Sequence, residues 1–81
     1  SIKIDLSKIK VNEIFKWIKS KNISEKEMLK TFNCGVGFCL IAPKKNVKKI
    51  ISFFPKEYLP YEIGQITYGS KKIDLINSLK W

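Results

Sequence analysis

The run Val36-Gly37-Phe38-Cys39-Leu40-Ile41-Ala42 holds no charged or hydrogen-bonding polar side chain, in a chain whose charged fraction is 28%. Closed by Pro43, it is far shorter than the roughly 20 residues a membrane-spanning helix needs and suits a strand buried on both faces. Such a strand demands neighbours at its edges and cover above and below. A chain of 81 residues has little cover to offer, because small domains bury a lower share of their surface than large ones. Either helices of this chain sandwich the sheet, or polypeptide outside these residues does. Layers of helix against sheet are the architecture this requirement selects.

The remaining segments supply candidate layers. Ile2, Ile4 and Leu6 alternate with Lys3 and Asp5, which predicts a short strand with one buried face. Val11, Ile14, Phe15 and Ile18 form a helical stripe, with Asn12 placed to cap it and Trp17 beside it at the edge of the core. Lys21-Asn22-Ile23 breaks that helix. Ser24-Glu25-Lys26-Glu27 then has capping-box form, and Ile23 and Met28 are spaced as a hydrophobic staple. Met28, Leu29 and Phe32 give this second helix its apolar face, and Asn33 and Gly35 suit the left-handed residue that often ends a helix. A third helix is expected from about Asn46, burying Val47, Ile50, Ile51 and Phe54 and stopped by Pro55. Glu62 to Tyr68 and Lys71 to Ile76 read as two strands joined by a Gly69-Ser70 hairpin turn. The expected class is α+β, with helices packed on a small mixed sheet.

Charge and composition exclude more than they suggest. The formal charge is +9, yet all sixteen basic residues are lysine. Arginine, whose planar fork reads guanine edges and clamps phosphates, is absent, which argues against a nucleic-acid binder. Lys, Ile and Asn share A/T-rich codons, so genomic base composition accounts for the charge without a partner. With no histidine, His-based catalysis and His metal ligands are ruled out. Cys34 and Cys39, without a secretory signal before them, read as free thiols of a reducing cytosol. Both read as apolar packing residues, and the helix C-terminus beside Cys34 would raise its thiol pKa. No catalytic dyad is visible among the seven acids. What remains is Thr31-Phe32-Asn33-Cys34-Gly35-Val36-Gly37, a helix end passing through two glycines into the apolar run. It reads either as a C-cap with packing glycines, or as a backbone-lined edge where a polar ligand meets Thr31 and Asn33.

The series Ile14-Phe15-Lys16-Trp17-Ile18, Asn22-Ile23-Ser24, Glu27-Met28 and Thr31-Phe32-Asn33-Cys34-Gly35-Val36-Gly37 resembles the C-terminal region of the aminoimidazole ribonucleotide (AIR) synthetases. Tyr61-Glu62-Ile63-Gly64-Gln65-Ile66 is similar to that family's tail, so the resemblance covers nearly the whole chain. Phe38 departs from the family's usual methionine, and Asn12-Glu13 stands where prolines are common. The resemblance implies a partial C-terminal domain over residues 1–81, with the family's N-terminal ATP-binding domain lying outside them; a chain opening on Ser1 fits a piece of a longer protein. It further implies a cytoplasmic, homodimeric ligase of purine biosynthesis that closes formylglycinamidine ribonucleotide to AIR using ATP and Mg, with neither nucleic acid nor membrane as partner. The ATP and Mg site would lie mainly outside this chain, which alone would be inactive. On the same ground Thr31, Asn33, Gly35 and Gly37 are expected to form one wall of the substrate cleft. Formylglycinamidine ribonucleotide synthetases and selenophosphate synthetases share the fold and are the nearest alternatives. A small basic nucleic-acid-binding domain and a ligand-free dimerisation module stand further off.

Overall fold

A computed structural model describes residues 1–69 and 71–81. Strand β1 (Ile2–Asp5) forms where Ile2 and Ile4 alternate with polar residues, and it occupies the middle of a three-stranded sheet of order β2-β1-β3. Strand β2 (Gly64–Ile66) runs antiparallel to β1, with Ile2 opposite Ile66 and Ile4 opposite Gly64. Strand β3 (Ile73–Ile76) runs parallel to β1, with Ile2 opposite Ile73 and Asp5 opposite Ile76. The sheet is therefore mixed and the class α+β.

The expected hairpin is not formed, because β1 lies between the two strands that were to pair. Thr67 and, five positions later, Lys72 are instead both bonded at the start of β1, which β2 and β3 flank. The Thr67 amide donates to the Ser1 carbonyl (2.9 Å), and the Ile2 amide donates to the Lys72 carbonyl (2.8 Å). Spanning two strand spacings takes about 10 Å, well within the reach of a linker of this length. A two-residue turn could not make that step; of the pair expected to form it, Ser70 lies outside the described residues.

Helix α1 (Glu13–Lys19) and helix α2 (Glu25–Thr31) pack on the sheet's first turn. Leu6, Ile9, Met28, Cys34 and Leu79 are buried, and Val11, Phe15, Ile18, Ile23, Phe32 and Val36 close around them. The Phe15 and Phe32 rings meet at 5.9 Å, tilted by 51°, and tie α1 to the end of α2. Ser24 caps α2 as expected, accepting from the Glu27 amide (3.2 Å). The reciprocal bond to Glu27 is not made among the described residues. Glu25 reaches away instead, its Oε1 accepting from the Leu79 amide (2.7 Å) and from Trp81 Nε1 (3.2 Å). Asn12 stands at the N-cap of α1, but its side chain makes no capping bond.

The largest departure concerns Val36–Ala42. It forms no strand; only Val36 joins the core, and Phe38, Leu40 and Ile41 are 85%, 56% and 76% exposed. The run pairs with neither open edge of the sheet, the outer sides of β2 and β3. Nor is there a covering layer. Helix α3 (Val47–Ser52) is a short element whose Val47, Ile50 and Ile51 are only half-buried and join no core, and Phe53 beyond it is 76% exposed. The outline is a slab of 41 × 36 × 17 Å.

Candidate functional site

The segment leaving α2 is held by backbone geometry. Phe32 ends the helix in extended conformation (φ −123°, ψ 156°) while its amide still donates to the Met28 carbonyl (2.9 Å). A turn follows: the Val36 amide donates to the Asn33 carbonyl (3.0 Å), with Cys34 at φ 54° and Gly35 at φ 120°. The left-handed positions are thus Cys34 and Gly35, and Asn33 serves otherwise. Its Oδ1 accepts from the Gly35 amide (2.9 Å), bracing the turn from inside.

Gly35 is where this turn presses on the rest of the fold. A Cβ there would lie 2.4 Å from the Lys10 carbonyl oxygen and 2.7 Å from Asn12 Oδ1. Lys10 is itself fixed, its amide donating to Tyr61 Oη (3.0 Å) and its ammonium lying 4.8 Å from the centre of the Tyr61 ring. Gly37 differs: nothing lies within 4 Å of a Cβ placed there, so no packing requirement explains it. Cys34 is buried, its sulfur 3.8 Å from the Met28 and Phe32 carbonyls. Burial pushes its thiol pKa up, and the charge of Glu25 adds to this.

The four expected site residues therefore do not share one surface in an equivalent way. Asn33 and Gly35 are joined by a hydrogen bond within one turn. Thr31, exposed on the last turn of α2, lines a shallow open depression with Asn22, Ile23, Ser24, Glu27 and Phe32. Gly37 begins the exposed run beyond. What the turn offers a ligand is the exposed Asn33 carboxamide next to tightly located backbone; what the depression offers is hydroxyl, carboxylate and carboxamide groups on a partly apolar floor.

Two polar arrangements had no signal in the sequence, because their partners are far apart in the chain. One is the Glu25 clasp on Leu79 and Trp81, reinforced by Lys19 Nζ at 5.8 Å from the Trp81 ring. The other is Asp5, whose Oδ1 accepts from Asn77 Nδ2 (2.9 Å) and from the Ser7 amide (3.0 Å) and hydroxyl (2.6 Å). The Asn77 bond, followed by the Ser7 hydroxyl, holds the Asp5 carboxyl below the usual carboxylate range. Among the described residues, no group of three or more His, Cys, Asp or Glu is placed to hold a metal ion. No helix among the described residues is long and apolar enough to cross a membrane.

Known proteins match this chain over most of its length. A phosphoribosylformylglycinamidine cyclo-ligase of Prochlorococcus marinus (strain NATL1A) is 37% identical over 65 residues, covering 78% of this chain and 19% of the relative. That of Fusobacterium nucleatum is 41% identical over 70 residues, covering 84% and 21%. A trifunctional purine biosynthetic protein adenosine-3 of Gallus gallus is 33% identical over 81 residues, covering 95% of this chain and 8% of its own length. The chain thus spans about a fifth of the length of the cyclo-ligases it matches. No solved structure matches. The model of the AIR synthase related protein C-terminal domain matches residues 1–76, and the chain belongs to that family.

Proposed function

We propose that this chain forms part of the C-terminal domain of an ATP-dependent phosphoribosylformylglycinamidine cyclo-ligase. The observation that carries the reading is the family match over residues 1–76, together with cyclo-ligase relatives aligned along most of the chain. In the reaction, formylglycinamidine ribonucleotide is closed to aminoimidazole ribonucleotide with release of ADP and phosphate. ATP phosphorylates the formyl oxygen to make it a leaving group, and an amidine-side nitrogen attacks that carbon. ATP and Mg are bound mainly by polypeptide beyond these residues. The complete enzyme is a cytoplasmic homodimer.

This chain's contribution is one wall of the substrate cleft. Thr31 and the Asn33 carboxamide supply hydrogen bonds, Gly35 holds the turn against Lys10 and Asn12, and Gly37 leaves room for close approach. A neutral carboxamide both donates and accepts, which suits an amidine or a ribose hydroxyl equally. In the full-length enzyme, Asn33→Ala lowers kcat/KM about tenfold or more, as expected when a hydrogen bond to a bound polar group is removed. An unchanged kcat/KM sets aside the polar contact. The 81-residue chain alone shows no ring closure and no ATPase, and turnover by the purified piece would refute the division of labour.

A further inference from the structure

The stretch Tyr61-Glu62-Ile63-Gly64 leads into β2, and two of its residues have a structural account. Ile63 packs against the core, and its carbonyl accepts from the Asp5 amide (2.8 Å). Gly64 lies so close to β1 that a Cβ there would run into the Lys3 carbonyl. Neither account covers the half-buried Tyr61. Its hydroxyl accepts from the amide of Lys10, fifty-one positions earlier (3.0 Å). The Lys10 ammonium lies 4.8 Å from the centre of the same ring. Ring and hydroxyl thus hold one residue at two points. Lys10 stands just ahead of α1, in neither helix nor strand, so no ladder or helical bond fixes its amide.

What Lys10 carries is the support of the glycine turn. Its carbonyl and Asn12 Oδ1 are the atoms that a Cβ on Gly35 would strike. Gly35 in turn donates its amide to Asn33 Oδ1 (2.9 Å), so the setting of that carboxamide follows the position of Gly35. The turn also contains a left-handed residue other than glycine, Cys34 at φ 54°. Such a conformation persists where the surroundings over-determine it. Burial of the Cys34 side chain restrains the turn from the core, and the Lys10 peptide restrains it at Gly35.

We infer that Tyr61 is a positioning residue for the candidate cleft wall: its hydroxyl fixes the Lys10 peptide, that peptide seats Gly35, and Gly35 sets the Asn33 carboxamide. The inference rests on the cyclo-ligase reading above and adds to it a residue that acts through the turn rather than on the substrate.

The test replaces Tyr61 by phenylalanine, which keeps the ring for Lys10 and removes only the hydroxyl. The bond lost is exposed, so water takes over the Lys10 amide and the fold is kept, as circular dichroism verifies. In the 81-residue chain, Tyr61→Phe shifts the Gly35 amide and Asn33 side-chain amide resonances and speeds exchange of the Gly35 amide. Tyr58→Phe, on a side chain 75% exposed, moves neither. In the full-length enzyme, Tyr61→Phe lowers kcat/KM for formylglycinamidine ribonucleotide about threefold or more, through KM, as expected when a hydrogen bond to substrate is misaligned. In an Asn33→Ala background the same change has no further effect, because two residues acting through one contact do not add. A merely structural loss would be the same in both backgrounds. Turn resonances that stay in place overturn the inference. So does a kcat/KM that Asn33→Ala lowers and Tyr61→Phe does not, and so do losses that simply add. Turn resonances that move while Asn33→Ala leaves kcat/KM unchanged uphold the positioning and count against the cleft reading instead.

Discussion

Residues 1–36 and residues 37–59 carry similar stocks of large apolar side chains and use them in opposite ways. In the first region, Leu6, Ile9, Met28 and Cys34 are buried, with Phe15, Ile18 and Phe32 closing around them. In the second, none of Phe38, Leu40, Ile41, Val47, Ile50, Phe53 or Leu59 is buried. Hydrophobicity alone therefore does not decide burial here. Two helices joined by a short break, and returning onto the strand that precedes them, can close a core among near neighbours. An apolar run that pairs with neither open edge of the sheet, and has no layer packed over it, leaves its side chains exposed.

The largest effect expected from this contrast is on stability. Met28 is fully buried, so Met28→Ala removes packed volume and costs about 2–5 kcal/mol. In a chain this small, a loss of that size unfolds much of the population. Phe38→Ala deletes a larger side chain, but one that is 85% exposed, and the expected change is within about 0.5 kcal/mol. Urea denaturation of the two variants measures both numbers. Comparable losses would show that the second region is packed after all.

The two glycines flanking the boundary sharpen the comparison. Gly35 has a left-handed φ of 120°, and a Cβ would meet the Lys10 carbonyl at 2.4 Å. Because the obstructing atom is backbone, Gly35→Ala must shift the turn, with an expected loss above about 1 kcal/mol. Gly37 has open space around it, and Gly37→Ala is expected to be neutral or to stabilise by a few tenths of a kcal/mol, about 0.4 at most, through the unfolded chain. Melting temperatures of the pair separate the two cases. A Gly37 loss equal to that of Gly35 would erase the boundary at Val36.

Local signals in the sequence were legible; distant partners were not. The Ser24 cap and the inner side of the first helical stripe, Val11, Phe15 and Ile18, involve residues within one or two turns and are present, while Ile14, expected in the same stripe, is 57% exposed. The family resemblance rested on that run and on Tyr61-Glu62-Ile63-Gly64-Gln65-Ile66, and the family it named is the one that matches. Pairing order was a different matter. Gly69-Ser70 is a sound hairpin signal, but nothing in residues 62–76 reveals that β1, more than sixty residues earlier, inserts between the two strands. The apolar run Val36–Ala42 read as a strand because its composition demands one, and composition does not say whether the neighbours are present. At the candidate site, the glycine-rich turn was legible as a turn. Which residue takes the left-handed conformation was not, because Asn33 is used through its side chain and Cys34 is carried into the core. Glu25 read as a first-turn helix acid, and its carboxylate reaches residues more than fifty positions away.

That clasp gives the next largest effect. Glu25→Ala leaves the Leu79 amide and the Trp81 indole N–H without their acceptor, and both lie in a partly buried setting. Donors left unpaired in this way cost about 1–3 kcal/mol. The C-terminal residues should then loosen, with a red-shifted Trp81 emission and faster amide exchange at Leu79. Trp17, 60% exposed on α1, supplies a constant background. An unchanged spectrum and midpoint would mean that burial of Leu79 alone holds the C-terminal end.

The smallest effect places one thiol in each region. Cys39 is exposed and should react with a thiol reagent on mixing, whereas Cys34 is buried and should react only as the fold opens. The Cys34 pKa is raised, by burial first and by the charge of Glu25 second. Between the usual thiol value and that raised value, the unfolded chain has lost its proton while the folded chain keeps it. The folded state then binds more protons, so stability falls as pH rises through this window and is fully retained below it. Unfolding midpoints measured from neutral to alkaline pH should therefore decline for the wild type and for Cys39→Ala. They should decline less for Glu25→Ala, where the smaller contribution is gone, and flatten most in Cys34→Ala. If Cys39→Ala removed the slope instead, the apolar run would be the buried element and the comparison would be inverted.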